Sequence, residues 1–291
     1  MDSGEKFHIL TKWNKSKLYV RFEKMILYII LILLAACFIV PFLFLFFGSF
    51  KVSSELFRVP FKWLPDHFQL GNYKEMFTSI PFMKYLGNTL FIVFFNIVGS
   101  ILSSSFIAYG FARMKWPFRD KIFMIVIITM ILPFQVTMVP LFLMYTKWHW
   151  IGTFLPLTVT CFFGNPFYIF LLRQFFLGIP DELTYAARVD GANEFRIYAT
   201  IIMPLAKPCL ATVAIFAFIR TWNDFVGPLI FLADDDKYTL SLAAQLLRSN
   251  LDPKWNVLLA LGVVMVVPVL LIFFLLQKYF IEGVAMSGIK G

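Results

Sequence analysis

Five uncharged runs, each longer than twenty residues, punctuate this sequence. They hold 26 residues between Lys24 and Lys51, 28 between Lys84 and Arg113, 25 between Lys121 and Lys147, 25 between Lys147 and Arg173, and 23 between Lys254 and Lys278. A helix crossing a bilayer core about 30 Å thick needs roughly 20 residues, so each run predicts one membrane span. A sixth candidate, 209–232, is interrupted by Arg220 and Asp224. The pattern therefore predicts an all-α integral membrane chain with six transmembrane helices, the first at 25–48. Pro133, Pro140, Pro156 and Pro166 are expected to break the third and fourth spans. The segment 49–82 carries Pro60 and Pro65 and predicts an irregular ledge, with a short helix beginning at Asn72-Tyr73. Residues 233–255 predict a solvated Asp234-Asp235-Asp236 turn followed by a surface helix over LeuSerLeuAlaAlaGlnLeuLeu.

Composition agrees with the pattern. Of 291 residues 60% are hydrophobic, 19% aromatic and only 15% charged, outside the balance of a soluble globular chain. The net charge of +9 does not point to nucleic acid, because the basic residues are spread through short loops rather than gathered on one soluble face. Cys37, Cys161 and Cys209 lie in apolar segments without Cys-x-x-Cys spacing, and His8, His67 and His149 are scattered. Neither a disulfide framework nor a metal site is predicted. Leu34-Ala35-Ala36-Cys37 imitates a lipoprotein cleavage box, but the apolar run continues past the cysteine, so one uncleaved span is expected.

Lys and Arg set the orientation. With a cytoplasmic N-terminus, inside segments hold 16 basic residues and outside segments 9. Both termini, 1–24 and 282–291, are then cytoplasmic, and so is the polar stretch 177–208.

That stretch is the only long polar helix-forming segment. Pro180 suits a first helical turn, and Asp181 and Glu182 suit its positive end. Leu183, Ala186 and Ala187 form a short apolar stripe with small residues. Gly191 is expected to interrupt the helix by adopting backbone angles that other residues avoid. A second helix from about Asn193 is limited by Pro204 and Pro208. A helix–glycine–helix knuckle with a smooth face predicts a docking surface. Its Ala186-Ala187, Gly191, Ile201 and Met203-Pro204 spacing resembles the EAA loop of binding-protein-dependent ABC importer permeases. Tyr185 stands where that family usually has Glu, and Met203 where it usually has Leu. The resemblance implies that Tyr185, Ala186, Ala187, Asp190, Gly191, Ala192 and Pro204 couple the chain to an ATPase.

The second informative stretch is Phe218–Leu229. Arg220 and Asp224 stand four apart, so one helix would present both on one face. An ionised group at the bilayer centre costs about 2.5–3.5 kcal/mol on insertion scales, so the pair should face protein or water. Two uses are open. Trp222, Asn223 and Asp224 could border a translocation path, with Asn165 as a further polar wall, or Arg220 and Asp224 could stitch helices together. Asn88, Asn96 and Gln135 are polar positions in other spans, where helix–helix hydrogen bonding is the commoner use. TrpAsnAspPhe with ProLeu, AlaTyrGlyPheAlaArgMet at 108–114, TyrThrLeu at 238–240 and the ending GlyValAlaMetSerGlyIleLysGly resemble MalG-like, carbohydrate-type permeases.

The chain has no Gly-x-x-x-x-Gly-Lys-Ser/Thr phosphate loop and no nucleophile–base pair in a plausible pocket, so it is read as a transport subunit rather than an enzyme. The resemblance implies a type I ABC importer permease core at 83–281 in a bacterial plasma membrane. It implies no cofactor on this chain, with ATP and Mg at a separate ATPase dimer. It also implies a second, related permease and an extracytoplasmic sugar-binding protein as partners, with membrane lipid around them. The same architecture could carry a non-sugar solute. A stand-alone carrier would need a chain of intramembrane acids or histidines, where only Asp224 qualifies. A scaffold or membrane enzyme accounts for the spans but not for the knuckle.

Overall fold

The computed structural model describes the backbone of residues 3–249 and 253–288, with side chains at 19–249 and 253–277. Secondary structure among the described residues is entirely helical. Four stretches are long and apolar enough to cross a membrane as single units: Tyr19–Gly48, Phe82–Arg113, Leu155–Leu177 and Trp255–Gln277. The first belongs to α1 (Ser3–Gly48), which runs unbroken through Pro41. Its apolar window is wholly unburied, so this helix stands at the edge of the bundle. After α1 come α2 (Ser53–Leu56) and α3 (Gly71–Ser79), the latter at the position that Asn72-Tyr73 predicts.

The bundle is built on α4 (Phe82–Arg113). Between larger buried residues such as Ile92, Val93, Tyr109 and Phe111, its buried face carries the small residues Gly99, Ser100, Ser104, Ser105, Ala108 and Ala112, which let neighbouring backbones approach closely. A Cβ on Gly99 would run into the Cys161 sulfur and come within 2.9 Å of the Phe162 ring. Next in the chain are α5 (Arg119–Ile128), α6 (Phe134–Lys147) and α7 (Leu155–Thr158), then α8 (Pro166–Leu177), the main partner of α4. The knuckle contributes α9 (Asp181–Val189), α10 (Glu194–Ile197) and α11 (Met203–Leu205). The chain continues through α12 (Lys207–Trp222), α13 (Val226–Phe231), α14 (Leu240–Ser249) and α15 (Trp255–Gly288).

Two apolar clusters hold these elements. One joins the C-terminal half of α4 to α8, the 197–206 stretch and the start of α12, through residues such as Tyr109, Leu172, Phe176, Ile197 and Val213. The other joins the N-terminal end of α4 to Phe218, Trp222, α14 and α15. Where α1 ends, Asn72 donates to the carbonyls of Ser49 and Lys51 at 2.8 Å and accepts from Asn256 at 2.8 Å. That buried polar clasp ties the end of the first helix to α15.

The structure departs from the sequence expectation at several places. The third span is a bent pair, Arg119–Ile131 and Phe134–Lys147, meeting at 97°. Leu132 is extended because the ring of Pro133 excludes helical angles in the residue before it. Pro140, by contrast, sits inside α6 without ending it. The candidate at 209–232 does not run to 232 as one helix. Helix α12 ends at Trp222, Asn223 caps it, and α13 follows as a separate short helix. The helix over LeuSerLeuAlaAlaGlnLeuLeu lies at the surface along its second half, where Leu246, Arg248 and Ser249 are exposed, while its first turn, Leu240, Ser241, Leu242 and Ala243, is buried. The acidic turn stays solvated and pairs Asp236 with Lys84 at 2.6 Å. The last residues of the Gly-rich ending, 289–291, lie outside the described residues.

Gly99→Val should lower the melting temperature of the detergent-solubilised protein, because overpacking a tight helix contact costs about 1–3 kcal/mol. Gly110→Ala, on the same helix with nothing within 4 Å of its added Cβ, should be neutral or stabilising. Thermal unfolding of the two variants side by side checks both.

Candidate functional site

The 177–208 stretch folds as its residues predict. Pro180 precedes α9, and Asp181 and Glu182 lie in its first turn. The helix closes at Asp190, whose N–H donates to the Ala186 carbonyl, while the Gly191 N–H donates to the Arg188 carbonyl. Gly191 then takes φ +81°, an angle that a Cβ would strain. Asn193 caps the following turn by accepting from the Arg196 N–H at 2.8 Å. A π-helical turn at Tyr198–Ile202 leads into α11, and Glu194–Leu205 bends 79° against Lys207–Trp222. Pro204 lies in the first positions of α11 and is exposed, so it does not end that segment; the turn at Ala206 does.

The stripe divides. Ala187 and Ala192 turn inward against the apolar cluster around α4 and α8. Leu183, Tyr185, Ala186 and Asp190 turn outward, Tyr185 being 53% exposed. Two apolar side chains that sequence reading passed over join the outward face: Val189 at 87% exposure and Phe195. Their signal was present, since Tyr185 and Val189 stand four apart on a polar helix. Arg188 lies 5.8 Å from the centre of the Tyr185 ring and donates to Glu194 at 2.8 Å, which pushes the Arg188 pKa up. The face is thus an apolar patch with an ion pair at its rim, the chemistry of a protein-docking surface.

The loop is held from above by α4. The Ser105 hydroxyl meets the Tyr198 hydroxyl at 2.7 Å, Tyr109 donates to Glu194 at 2.6 Å, and Arg113 pairs with Asp181. Arg113, its side chain 3% exposed, also donates to the carbonyls of Phe176 and Ile179. In the sequence the 108–114 stretch carries only a family resemblance. The four-residue spacing of Ser105, Tyr109 and Arg113 was the available signal.

Beyond the inner apolar cluster a cavity of about 290 Å³ opens among α4, the 155–177 segment, α12 and α13. Asn165 and Asp224 both line it, together with Arg220, Asn96, Tyr145 and Tyr168. Trp222 and Asn223 do not. Trp222 is 1% exposed, stacks on Phe218 at 5.3 Å and donates its indole N–H to the Met265 carbonyl at 3.1 Å. It is a core residue. The Asn223 amide donates to the Ile219 carbonyl at 2.8 Å on the exposed side. Because α12 stops at Trp222, Arg220 and Asp224 do not share a helix face and form no ion pair among the described residues. Asp224 instead accepts from the Gly227 N–H at 3.1 Å and starts α13. Asn165 caps α8 through the Phe167 N–H at 3.0 Å, and Gly164 beside it has φ +87°. The aromatic faces of the cavity come from Tyr145, Tyr168 and Phe231. Of the other polar positions, Asn88 donates to Asp236 and Tyr238 carbonyls at 3.0 Å, and Gln135 is exposed.

The chain thus combines apolar helices long enough to cross a membrane, a polar cavity between them and a loop with an exposed apolar face. The chain belongs to the family described as binding-protein-dependent transport system inner membrane component, which it matches over residues 100–285. It is 35% identical over 263 residues to the arabinooligosaccharides transport system permease protein AraQ of Bacillus subtilis, covering 89% of this chain and 93% of that protein. The AraQ of Halalkalibacterium halodurans is 34% identical, over 86% of this chain and 91% of the relative. The diacetylchitobiose uptake system permease protein NgcG of Streptomyces coelicolor is 34% identical, over 90% and 87%. Among solved structures, a chain of a bacterial ABC transporter involved in the import of the acidic polysaccharide alginate matches with a TM-score of 0.78. It is 25% identical, and the match covers 89% of this chain and 97% of that one. The protein is an ABC importer permease, a transport subunit and not an enzyme.

Gly191→Val should strain the knuckle by about 1–2 kcal/mol, the cost of a left-handed angle at a branched residue. Limited trypsin digestion should then cut faster at Arg188 and Arg196 than in the wild type, while the melting temperature of the bundle stays the same.

Proposed function

We propose that this chain forms half of the translocation path of an ATP-driven, binding-protein-dependent importer for an oligosaccharide. The observation that carries the reading is identity of 34–35% over about nine-tenths of permeases named for arabinooligosaccharides and diacetylchitobiose. The polar, aromatic-lined cavity supports it, since sugars pair hydroxyls with amides and carboxylates and lay ring faces on aromatics. At about 290 Å³ the cavity sits at the lower end of the roughly 300–1,000 Å³ range of ligand pockets, which fits a site completed by a second subunit.

In this reading the chain crosses a bacterial plasma membrane six times, with each bent pair counted as one span and both termini in the cytoplasm. Residues 1–24 form the N-terminal tail, 25–48 the first span, 49–82 an outer ledge, 83–281 the permease core and 282–291 the C-terminal tail. A second, related permease completes the path, and membrane lipid surrounds both. An ATPase dimer, holding the ATP and Mg that this chain does not bind, docks on Tyr185, Ala186, Val189 and Phe195, with Ala187, Asp190, Gly191, Ala192 and Pro204 shaping the loop. Closure of the ATPase dimer moves the loop, and rigid-body motion of the spans switches the path between its two openings. An extracytoplasmic binding protein delivers the sugar. Asn165 and Asp224, with Arg220, line the path, while Trp222 and Asn223 support the wall from behind.

Affinity purification of the tagged chain should bring down an ATPase and a second permease. A binding screen on the partner binding protein should favour arabino-, malto- or chito-oligosaccharides over free amino acids and betaines. A chain that transports alone, or a binding protein that ignores all oligosaccharides, overturns the reading. Ala186→Glu should release the ATPase. Tyr185→Glu should make its retention more salt-sensitive than in the wild type, because a hydroxyl contact is screened less than a carboxylate. ATPase recovery across a salt series reads both.

A further inference from the structure

Ser105, Tyr109 and Arg113 stand four residues apart, on one stripe of α4. Each holds a different part of the knuckle: Tyr198 in the π-helical turn, Glu194 in α10 and Asp181 at the start of α9. Further along the same unbroken helix Thr89, Ile92, Asn96 and Ser100 line the cavity. From Thr89 to Arg113 such a helix runs about 36 Å, so α4 connects both sites through one continuous helix, beside α8 and α12, which enter and leave the knuckle and also line the cavity.

We propose that this ladder is the strut through which movement of the docked loop reaches the cavity, with Ser105, Tyr109 and Arg113 as positioning residues for coupling. The proposal rests on the reading of the knuckle as the ATPase docking surface. A loop held at one point swivels. A loop held at three points along about 12 Å of helix must tilt with that helix. The ladder is also more than packing. Phenylalanine at 109 would fill the same space beside Tyr198, whose ring centre lies 5.4 Å away. The hydroxyl adds a directed bond to a carboxylate that Arg188 shares, so α4, α9 and α10 meet at Glu194. Arg113 satisfies the last carbonyls of α8 and its next turn while pairing with Asp181, which fixes where α9 begins.

The test uses the complete transporter in liposomes, purified through this chain with its ATPase and second permease. ATP turnover is measured with and without binding protein saturated by a mixed pool of arabino-, malto- and chito-oligosaccharides. Tyr109→Phe should keep the ATPase attached, while stimulation by the loaded binding protein falls roughly tenfold, the worth of one hydrogen bond to a charged acceptor. Glu194→Gln, which retains an acceptor for Tyr109, should keep most of the stimulation, whereas loss of packing alone would not separate the two variants. Ser105→Ala should fall in the same direction as Tyr109→Phe and decides the matter if Tyr109→Phe does not assemble. Stimulation within about twofold of wild type in the assembled variant overturns the strut, since that is well under one hydrogen bond. Ala186→Glu separates this from the parent reading. If it keeps the ATPase and full stimulation, the docking surface lies elsewhere. If it sheds the ATPase while Tyr109→Phe couples normally, docking stands and the strut fails.

Discussion

A helix in hydrocarbon satisfies its own backbone, but wherever it breaks, the freed N–H and C=O groups need partners that lipid does not provide. The fold depends on α4 supplying them. Where the fourth span breaks around Gly164, Asn96 donates to the Leu157 carbonyl at 2.7 Å and Ser103 to the Cys161 carbonyl at 2.9 Å. Ser104 accepts from the Asn165 N–H at 3.2 Å. Where α8 ends, Arg113 takes the carbonyls of Phe176 and Ile179. One regular helix with a small, polar face thus makes an irregular neighbour tolerable, and the irregular neighbour is what opens a cavity.

The same helix organises both functional regions. Its middle borders the cavity and its C-terminal end grips the knuckle, with an apolar cluster between them. That arrangement puts the polar cavity on one side of the cluster and the exposed face of the knuckle on the other. A displacement of the knuckle also meets a continuous helix, because α4 runs from Phe82 to Arg113 with no internal Pro or π-turn. The third span, bent at Leu132-Pro133, and the stretch before α12, bent at Ala206, are where compliance lies instead.

Outside the bundle, α1 meets the core mainly through α15, where Leu45 packs over Gly262 and Leu259 over Gly48. Its apolar surface is therefore matched to lipid. The family match begins at residue 100 and leaves this helix and the outer ledge aside. The Asn72–Asn256 clasp fastens them to the core through buried amides, whose cost of separation exceeds that of an exposed contact.

Much of this was legible in the sequence because it depends on local chemistry. Uncharged runs report the long apolar helices directly. The Pro180, Asp181, Gly191 and Asn193 pattern encodes a helix, its left-handed stop and the next cap without help from elsewhere. The EAA-like spacing added the family. What the sequence did not determine is which way each residue faces once helices stop and bend. Trp222 and Asp224 read as neighbours on one wall, yet α12 ends between them, and packing against Phe218 and Met265 carried the indole into the core. Ala186 and Ala187 are adjacent and alike, and only the apolar cluster beneath them decided that one is covered and the other presented. The ladder at Ser105, Tyr109 and Arg113 pairs residues some 68 to 93 positions apart. Such partners are set by tertiary packing, because a hydroxyl or guanidinium on a helix face fits many acceptors until the fold brings one within reach.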